Sequence, residues 1–307
     1  MTGASVPPAP AAAAHPVRPW LAFAWMCGAI ASFTLSAVAG REAQVSISAV
    51  ELAAWRSVLA LGLVCGLLAL HPRGFAQIRT ALPWLHLQRN VIHFAGQIAW
   101  FVALTLIPLA QLIAFEFTNP IWVALLAPFL LGERVTRRLA AAIALGFVGV
   151  LIVARPEGAG FGQGQALALF AAFAFALNAI LTRRIMAQDT VLCVVFWMAV
   201  IQACMGFAGV LAMGAGWPPA GAWGWIALVA VTGLSGHYCL TSALGHAPAS
   251  LVAPMDFLRL PAVTVVGALV YGESVSVSVF LGAVVILAAN LLSFSDRRGT
   301  DATARRG

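Results

Sequence analysis

An all-α integral membrane fold of ten transmembrane helices, arranged as two inverted five-helix repeats, is what this sequence predicts, and three observations carry the prediction. First, 62% of the 307 residues are hydrophobic and only 9% charged, with a mean hydropathy of +0.96. Soluble domains carry roughly a quarter charged residues, so a chain this poor in charge cannot cover a water-facing surface and must take lipid as its solvent. Second, apolar segments close to the roughly 20 residues of a membrane span recur along the whole chain. Third, landmarks of the first half return 140 positions later in the second, the mark of an internal repeat.

Taken in order, residues 1–19 are rich in Ala and Pro and read as a disordered cytoplasmic tail. Apolar spans follow at 20–39, 48–70, 84–105, 109–131, 138–154, 164–183, 190–213, 221–243, 249–271 and 276–294. They group into a first repeat at 20–154, a second at 163–294, and a cytoplasmic C-terminal tail at 295–307. The breaks between spans hold Arg, Pro, Gly or Asp, the usual punctuation. All 17 basic residues are Arg, giving a net charge of +7. With the N-terminus inside, the cytoplasmic segments hold all the loop arginines but Arg41 and Arg155, so the positive-inside rule places both termini in the cytoplasm. The basic excess therefore serves topology, and nucleic acid is not an expected partner; the lipid bilayer is. The five cysteines all fall in apolar stretches without metal-ligand spacing, so neither a disulfide framework, a metal site nor a cofactor is indicated.

Within the repeat, Pro108 falls on Pro248, Glu116 on Asp256, Phe117 on Phe257, and the pair Gly132-Glu133 on Gly272-Glu273. Five spans is an odd number, so the second copy must enter the membrane upside down, and secondary transporters recurrently use that architecture, with the ligand at the repeat interface. Glu116 and Asp256 are the most informative positions. A carboxylate within a spanning helix costs about 2.5–3.5 kcal/mol even on lenient insertion scales, so it normally faces a cavity or a partner. At 1.5 Å per residue each acid lies about 10–12 Å deep, Glu116 from the outer face and Asp256 from the inner, so one is expected to face an outer vestibule and the other an inner one. Binding of a cation or proton is the functional reading. The structural one is an ion pair, Asp256 with Arg259 or with Arg56.

Pro120, Pro254 and Pro261 interrupt the helices around these acids, and broken backbone in a membrane survives where it is buried in protein or lines a wet cavity. Arg56 lacks a well-spaced partner on its own helix and is expected to find one on another; it or Arg259 could hold a carboxylate or phosphate. Span three carries Arg89, His93 and Gln97 at i, i+4 spacing with Trp100 close to the same face, and His237 and Tyr238 occupy the counterpart span, Gln97 matching His237. Such stripes suit a polar cavity, although a buried His is more often an interhelical hydrogen-bond partner, the role also expected of Asn178 and Gln202. Glu133 and Glu273 each follow a Gly that can end one helix and are expected to open the next, where the helix dipole favours an anion.

The Gly132-Glu133 and Gly272-Glu273 pairs, the run Phe117-Thr118-Asn119-Pro120-Ile121-Trp122-Val123, and Gly146-Phe147-Val148-Gly149-Val150-Leu151-Ile152-Val153 together resemble the EamA-type ten-helix branch of the drug/metabolite transporter superfamily. The resemblance spans Trp20 to Leu292 and implies a transporter of a small molecule. Met255-Asp256-Phe257-Leu258-Arg259-Leu260-Pro261 is similar to members that handle S-adenosylmethionine, riboflavin or carnitine-like compounds. An exporter of drugs or excess metabolites has the same fold, and a homodimer is one assembly open to it. No P-loop is present to make ATP the direct driver, and the paired catalytic motifs of an intramembrane hydrolase are missing. A non-transporting receptor or assembly protein is the remaining class, disfavoured by the short loops.

Overall fold

The computed structural model describes residues 18–131, 136–154, 161–247, 249–274 and 276–304; Gly132, Glu133 and Arg155 lie outside them. Among the described residues the regular structure is helical: α1 (Pro19–Ala43), α2 (Ala49–Leu70), α3 (Pro83–Leu106), α4 (Leu109–Glu116), α5 (Asn119–Leu131), α6 (Arg137–Ala154), α7 (Gln163–Ile185), α8 (Val191–Ala212), α9 (Ala222–His246), α10 (Ala249–Asp256), α11 (Arg259–Tyr271) and α12 (Val277–Ala304), with a 3₁₀ turn at Gly74–Ile78. Six stretches are long and apolar enough to cross a membrane, and Ala140–Ala154, Arg259–Tyr271 and Val277–Leu292 are shorter apolar helices.

Local chemistry sets the boundaries. Pro19 and Pro83 open α1 and α3, where a missing N–H costs nothing. Ser48 and Glu51 form a reciprocal capping box on α2, so Glu51 is occupied at the helix start and does not pair with Arg56. Thr190 caps α8 through the Cys193 amide. Gly272, at φ 63°, takes the left-handed residue that ends α11, its amide reaching Ala268 O and the Glu273 amide reaching Gly267 O.

The expected fourth and ninth spans are each broken into two helices. α4 ends at Glu116 and α5 begins at Asn119; α10 ends at Asp256 and α11 begins at Arg259. Pro120 and Pro261 both stand in the first turn of the helix after the break, where proline is tolerated, so the backbone turns ahead of the proline instead of kinking at it. Pro254 lies within α10, two residues before its end. A break inside a membrane leaves polar backbone that needs partners. The buried Asn290 of α12 donates to Phe117 O at 3.0 Å, and Thr118 Oγ1 donates to Phe115 O at 2.7 Å.

The helices pack in pairs: α1 along α9, α3 along α7, α2 along α8, α6 along α12, with α4 against α11. Small residues allow the closest of these crossings, as is usual between helices in lipid. A Cβ added at Gly282 would stand 2.8 Å from Gly149 O and 2.9 Å from Val153 N, and one at Gly206 would stand 2.6 Å from Ala54 Cα. Gly282→Leu is therefore expected to lower stability by about 1–3 kcal/mol, the usual cost of overpacking. Thermal unfolding in detergent reads this directly, and an unchanged midpoint would mean that α6 and α12 do not meet as closely as this.

Candidate functional site

The two helix breaks bring their charges together. Arg259, the first residue of α11, is buried, and its Nη2 donates to Glu116 Oε1 at 2.9 Å and to Asp256 Oδ2 at 3.0 Å. Trp100 of α3 donates its indole N–H to the other oxygen of Glu116 at 3.0 Å. The guanidinium also lies over two rings, Phe33 at 5.4 Å and Phe117 at 5.3 Å, while Phe117 stacks on Phe257 at 4.2 Å. Among the described residues, two buried atoms of this group have no partner: Asp256 Oδ1 and Arg259 Nε.

This corrects the expectation that Glu116 and Asp256 face separate vestibules. Each ends an eight-residue helix, α4 and α10, entering from opposite ends of the bundle. Eight residues reach about 12 Å into a hydrocarbon layer of about 30 Å, so the gap left between the two acids is about 6 Å. One arginine fork covers that distance. The acids are neighbours because both helices stop near the middle.

A second polar cluster surrounds Arg56. Its Nη2 donates to Gln202 Oε1 of α8 at 2.7 Å and to Gln97 Oε1 of α3 at a short contact. Gln202 Nε2 meets His93 Nδ1 at 2.6 Å, and the His93 ring lies 5.5 Å from Phe175. Arg56 is buried, its Nε has no partner, and among the described residues no carboxylate pairs with it. The expected cross-helix partner therefore exists but is a pair of neutral amides. Arg89, one turn below His93, is likewise buried and bonded only to Thr182 at 3.0 Å and Asn90 at 3.1 Å.

The α3 stripe links the two clusters, since Gln97 touches Arg56 and Trp100 touches Glu116 one turn further on. His237 of α9 lies edge-on to Phe33 at 5.3 Å, within electrostatic reach of Arg56, Arg89, Glu116 and Arg259. Like Tyr238 beside it, His237 is exposed. Tyr238 is a correction. It is 65% exposed and packs edge-on against Trp25 at 5.8 Å, and among the described residues it bonds to neither polar cluster.

Glu273 is a second correction. It does not open α12, which starts at Val277. Its Oε2 accepts the Leu109 amide at 2.9 Å, so it serves the N-terminus of α4 in the other half of the chain. Its Oε1 pairs at short range with Arg41, which donates to Leu104 O and Ile107 O, each at 2.7 Å. A cavity of about 500 Å³ opens at this end, lined by Arg41, Gln44, Thr105, Ile107, Tyr271 and Glu273.

At the opposite end His86 donates to Asp189 Oδ2 at 2.7 Å, with Thr80 donating to the same oxygen at 2.6 Å. Cys193 stands nearby, and the three possible ligand atoms of His86, Asp189 and Cys193 lie within 4.8 Å of one another. With the histidine bonded straight to the carboxylate, the group acts as a clamp joining the start of α3 to the loop before α8. Sequence reading missed this clamp and Asn290, since a single Asp or Asn near a span end carries no spacing signal.

Apolar helices around an interior of unneutralised arginine, shared carboxylates and broken backbone define a multi-pass membrane transporter of small molecules. The chain belongs to the EamA-like transporter family, whose model matches it twice, at residues 20–155 and 162–295. It is similar to the riboflavin transporter of Rhizobium johnstonii, 34% identical over 222 residues that cover 71% of this chain and 72% of that one. The riboflavin transporter of Brucella anthropi is 29% identical over 266 residues, 85% of this chain and 93% of that one. An S-adenosylmethionine uptake transporter of Rickettsia bellii is 24% identical over 232 residues, 72% and 76%. A crystal structure of a protein 19% identical superposes with a TM-score of 0.62 over 90% of this chain and 98% of that one, a likeness of fold.

Proposed function

We propose that the chain is a secondary transporter of the inner membrane, both termini cytoplasmic, which carries a small polar metabolite by alternating access between two inverted five-helix repeats. The helix pairing supports the repeat reading. Taking α4–α5 and α10–α11 as single spans gives ten, and exchanging every span for the one five places along turns α1·α9 into α7·α3 and leaves α2·α8 and α6·α12 in place. A pseudo-two-fold axis in the membrane plane predicts that invariance. The family's double match supports it too.

The observation that carries the function is Arg259 shared by two carboxylates where both broken helices meet. Two acids and one arginine leave one negative charge in excess, and Asp256 Oδ1 is a buried acceptor without a donor. A substrate hydroxyl or ammonium, or a proton, satisfies that oxygen and loosens Arg259 from Asp256, which frees α10 from α11 and couples occupancy to movement of one half against the other. Riboflavin is the first compound to try, because the riboflavin-transporting relatives are the more alike, and S-adenosylmethionine the second.

Protein reconstituted in liposomes is expected to take up one of the two, with Asp256→Asn lowering the initial rate at least 10-fold and Glu116→Gln lowering it less, since the amide oxygen still accepts from Arg259 and only the bond from the Trp100 indole is lost. Undiminished uptake by both variants would make the triad a structural brace only.

A further inference from the structure

We infer that Arg56, framed by Gln97 and Gln202, is the site that recognises a pair of adjacent acceptors on the substrate: a carboxylate, or a ring nitrogen beside its carbonyl. The inference rests on the transport reading above and adds the substrate chemistry that it leaves open.

Arg56 and Arg89 are the anomalies of the interior, and Arg56 is the one that the α3 stripe joins to the acids through Gln97 and Trp100. It is 8% exposed, sits inside a spanning helix, and has among the described residues no carboxylate to neutralise it, whereas the equally buried Arg259 has two. An unneutralised guanidinium in lipid is costly and persists where a ligand uses it. What it holds instead is two side-chain amide oxygens on the same nitrogen, Gln97 Oε1 and Gln202 Oε1, coming from two different helices. Guanidinium matches two acceptors held about a carboxylate's width apart, and Arg56 leaves Nε buried and unused. The two glutamine oxygens stand on Nη2, one of the two nitrogens that a bidentate ligand would take together with the unused Nε, so such a ligand displaces them there; Gln97 is only half buried, and Gln202 is held on its other side by His93 through Nε2 at 2.6 Å.

The placement completes a two-ended site. Gln97 and Trp100 lie three residues apart on one face of α3, about 4.5 Å along the axis, so the cationic end at Arg56 and the anionic end at Glu116 and Asp256 fall within the length of one small metabolite. The substrate is thus dipolar: an acceptor pair toward α2, and hydroxyl or ammonium donors toward the broken helices. A heteroaromatic ring that carries such an acceptor pair and a polyhydroxyl tail satisfies this, and so does an amino acid group with a second cationic centre.

Binding of riboflavin and of S-adenosylmethionine to purified protein separates the two sources of the acceptor pair, and liposome uptake is measured alongside. Arg56→Lys keeps the charge and loses the fork; it is expected to weaken binding of whichever compound the wild type takes by about 10-fold, some 1.4 kcal/mol, with a thermal midpoint close to wild type. Gln202→Leu removes one competing oxygen while leaving the guanidinium, and is expected to bind as tightly as wild type or tighter. Wild-type affinity in Arg56→Lys, or weakened binding in Gln202→Leu with Arg56→Lys unaffected, would make Arg56 a brace between α2, α3 and α8 and overturn the inference while transport stands. If the wild type neither binds nor moves either compound, the substrate reading fails and the inference falls with it.

Discussion

Arg259→Met is expected to abolish uptake and to destabilise the protein by about 3–5 kcal/mol, the cost of removing one partner from a buried ion pair. The reason lies in what remains. Glu116 and Asp256 both sit within 3.0 Å of one nitrogen of Arg259, and without it two carboxylates face each other across a gap that the arginine alone spans. One must then bind a proton or move away, and either change alters the meeting of α4 with α11. The double variant Glu116→Gln with Arg259→Met distinguishes charge from shape. It keeps a single acid, removes the repulsion, and is expected to recover part of the lost stability, by an interaction energy of about 0.5–3 kcal/mol in the double-mutant cycle, while uptake stays absent. Thermal unfolding in detergent and liposome uptake measure the two separately. Additive losses of stability would mean that Arg259 is held by its rings, Phe33 and Phe117, more than by its acids.

How much of this was legible in the sequence depends on which physical term set each feature. Hydropathy reports only transfer into lipid, so it marks where the chain is apolar, and the segments it marked correspond closely to α1, α2, α3, α6, α7, α8 and α9. Proline chemistry put irregular backbone near Glu116 and Asp256, but not the turn at residues 117–118 and 257–258, because a proline in a first turn and one inside a helix look the same in one dimension. Depth arithmetic placed the acids on opposite sides of the midplane and missed that Arg259 joins them; a side chain about 6 Å long matters only once the helices are positioned in space. The i, i+4 rule found Arg89, His93, Gln97 and Trp100, since those share a face by helical geometry alone. The same rule has no reach between helices, which is why Gln202 was read as a generic polar contact and Tyr238 was grouped with His237. Glu273 was misassigned for a related reason. Local capping rules offer the next helix as the nearest partner, while the fold brings the N-terminus of α4 closer.

Glu273→Gln is expected to loosen one end of the bundle selectively. Through Arg41 and Leu109 this carboxylate ties α1 to the start of α4 and the end of α11, and Arg41 extends the tie to the C-terminal carbonyls of α3. The Arg41 guanidinium lies 4.7 Å from the Tyr271 ring centroid, and Tyr271 donates to Glu42 Oε1 at 2.9 Å, so five side-chain contacts meet around one ion pair. If the two halves rock against each other, these ties must part together each time this end opens, and their strength sets how often it does. Replacing the carboxylate by an amide keeps the shape but leaves one acceptor oxygen for two donors, so one of the bonds from Arg41 and the Leu109 amide is lost. A loss of about 1.4 kcal/mol raises the open population about tenfold when the closed state is dominant. A cysteine placed at Thr105, which lines the cavity at this end, reports the change through its rate of reaction with a membrane-impermeant maleimide. The rate is expected to rise about tenfold in Glu273→Gln, with a smaller rise in Tyr271→Phe, which loses the hydroxyl's bond to Glu42 and its 3.5 Å contact with Val38 O. Equal rates in all three would assign the ion pair to static capping of α4, and opening of this end would then be governed by the helix contacts beneath it.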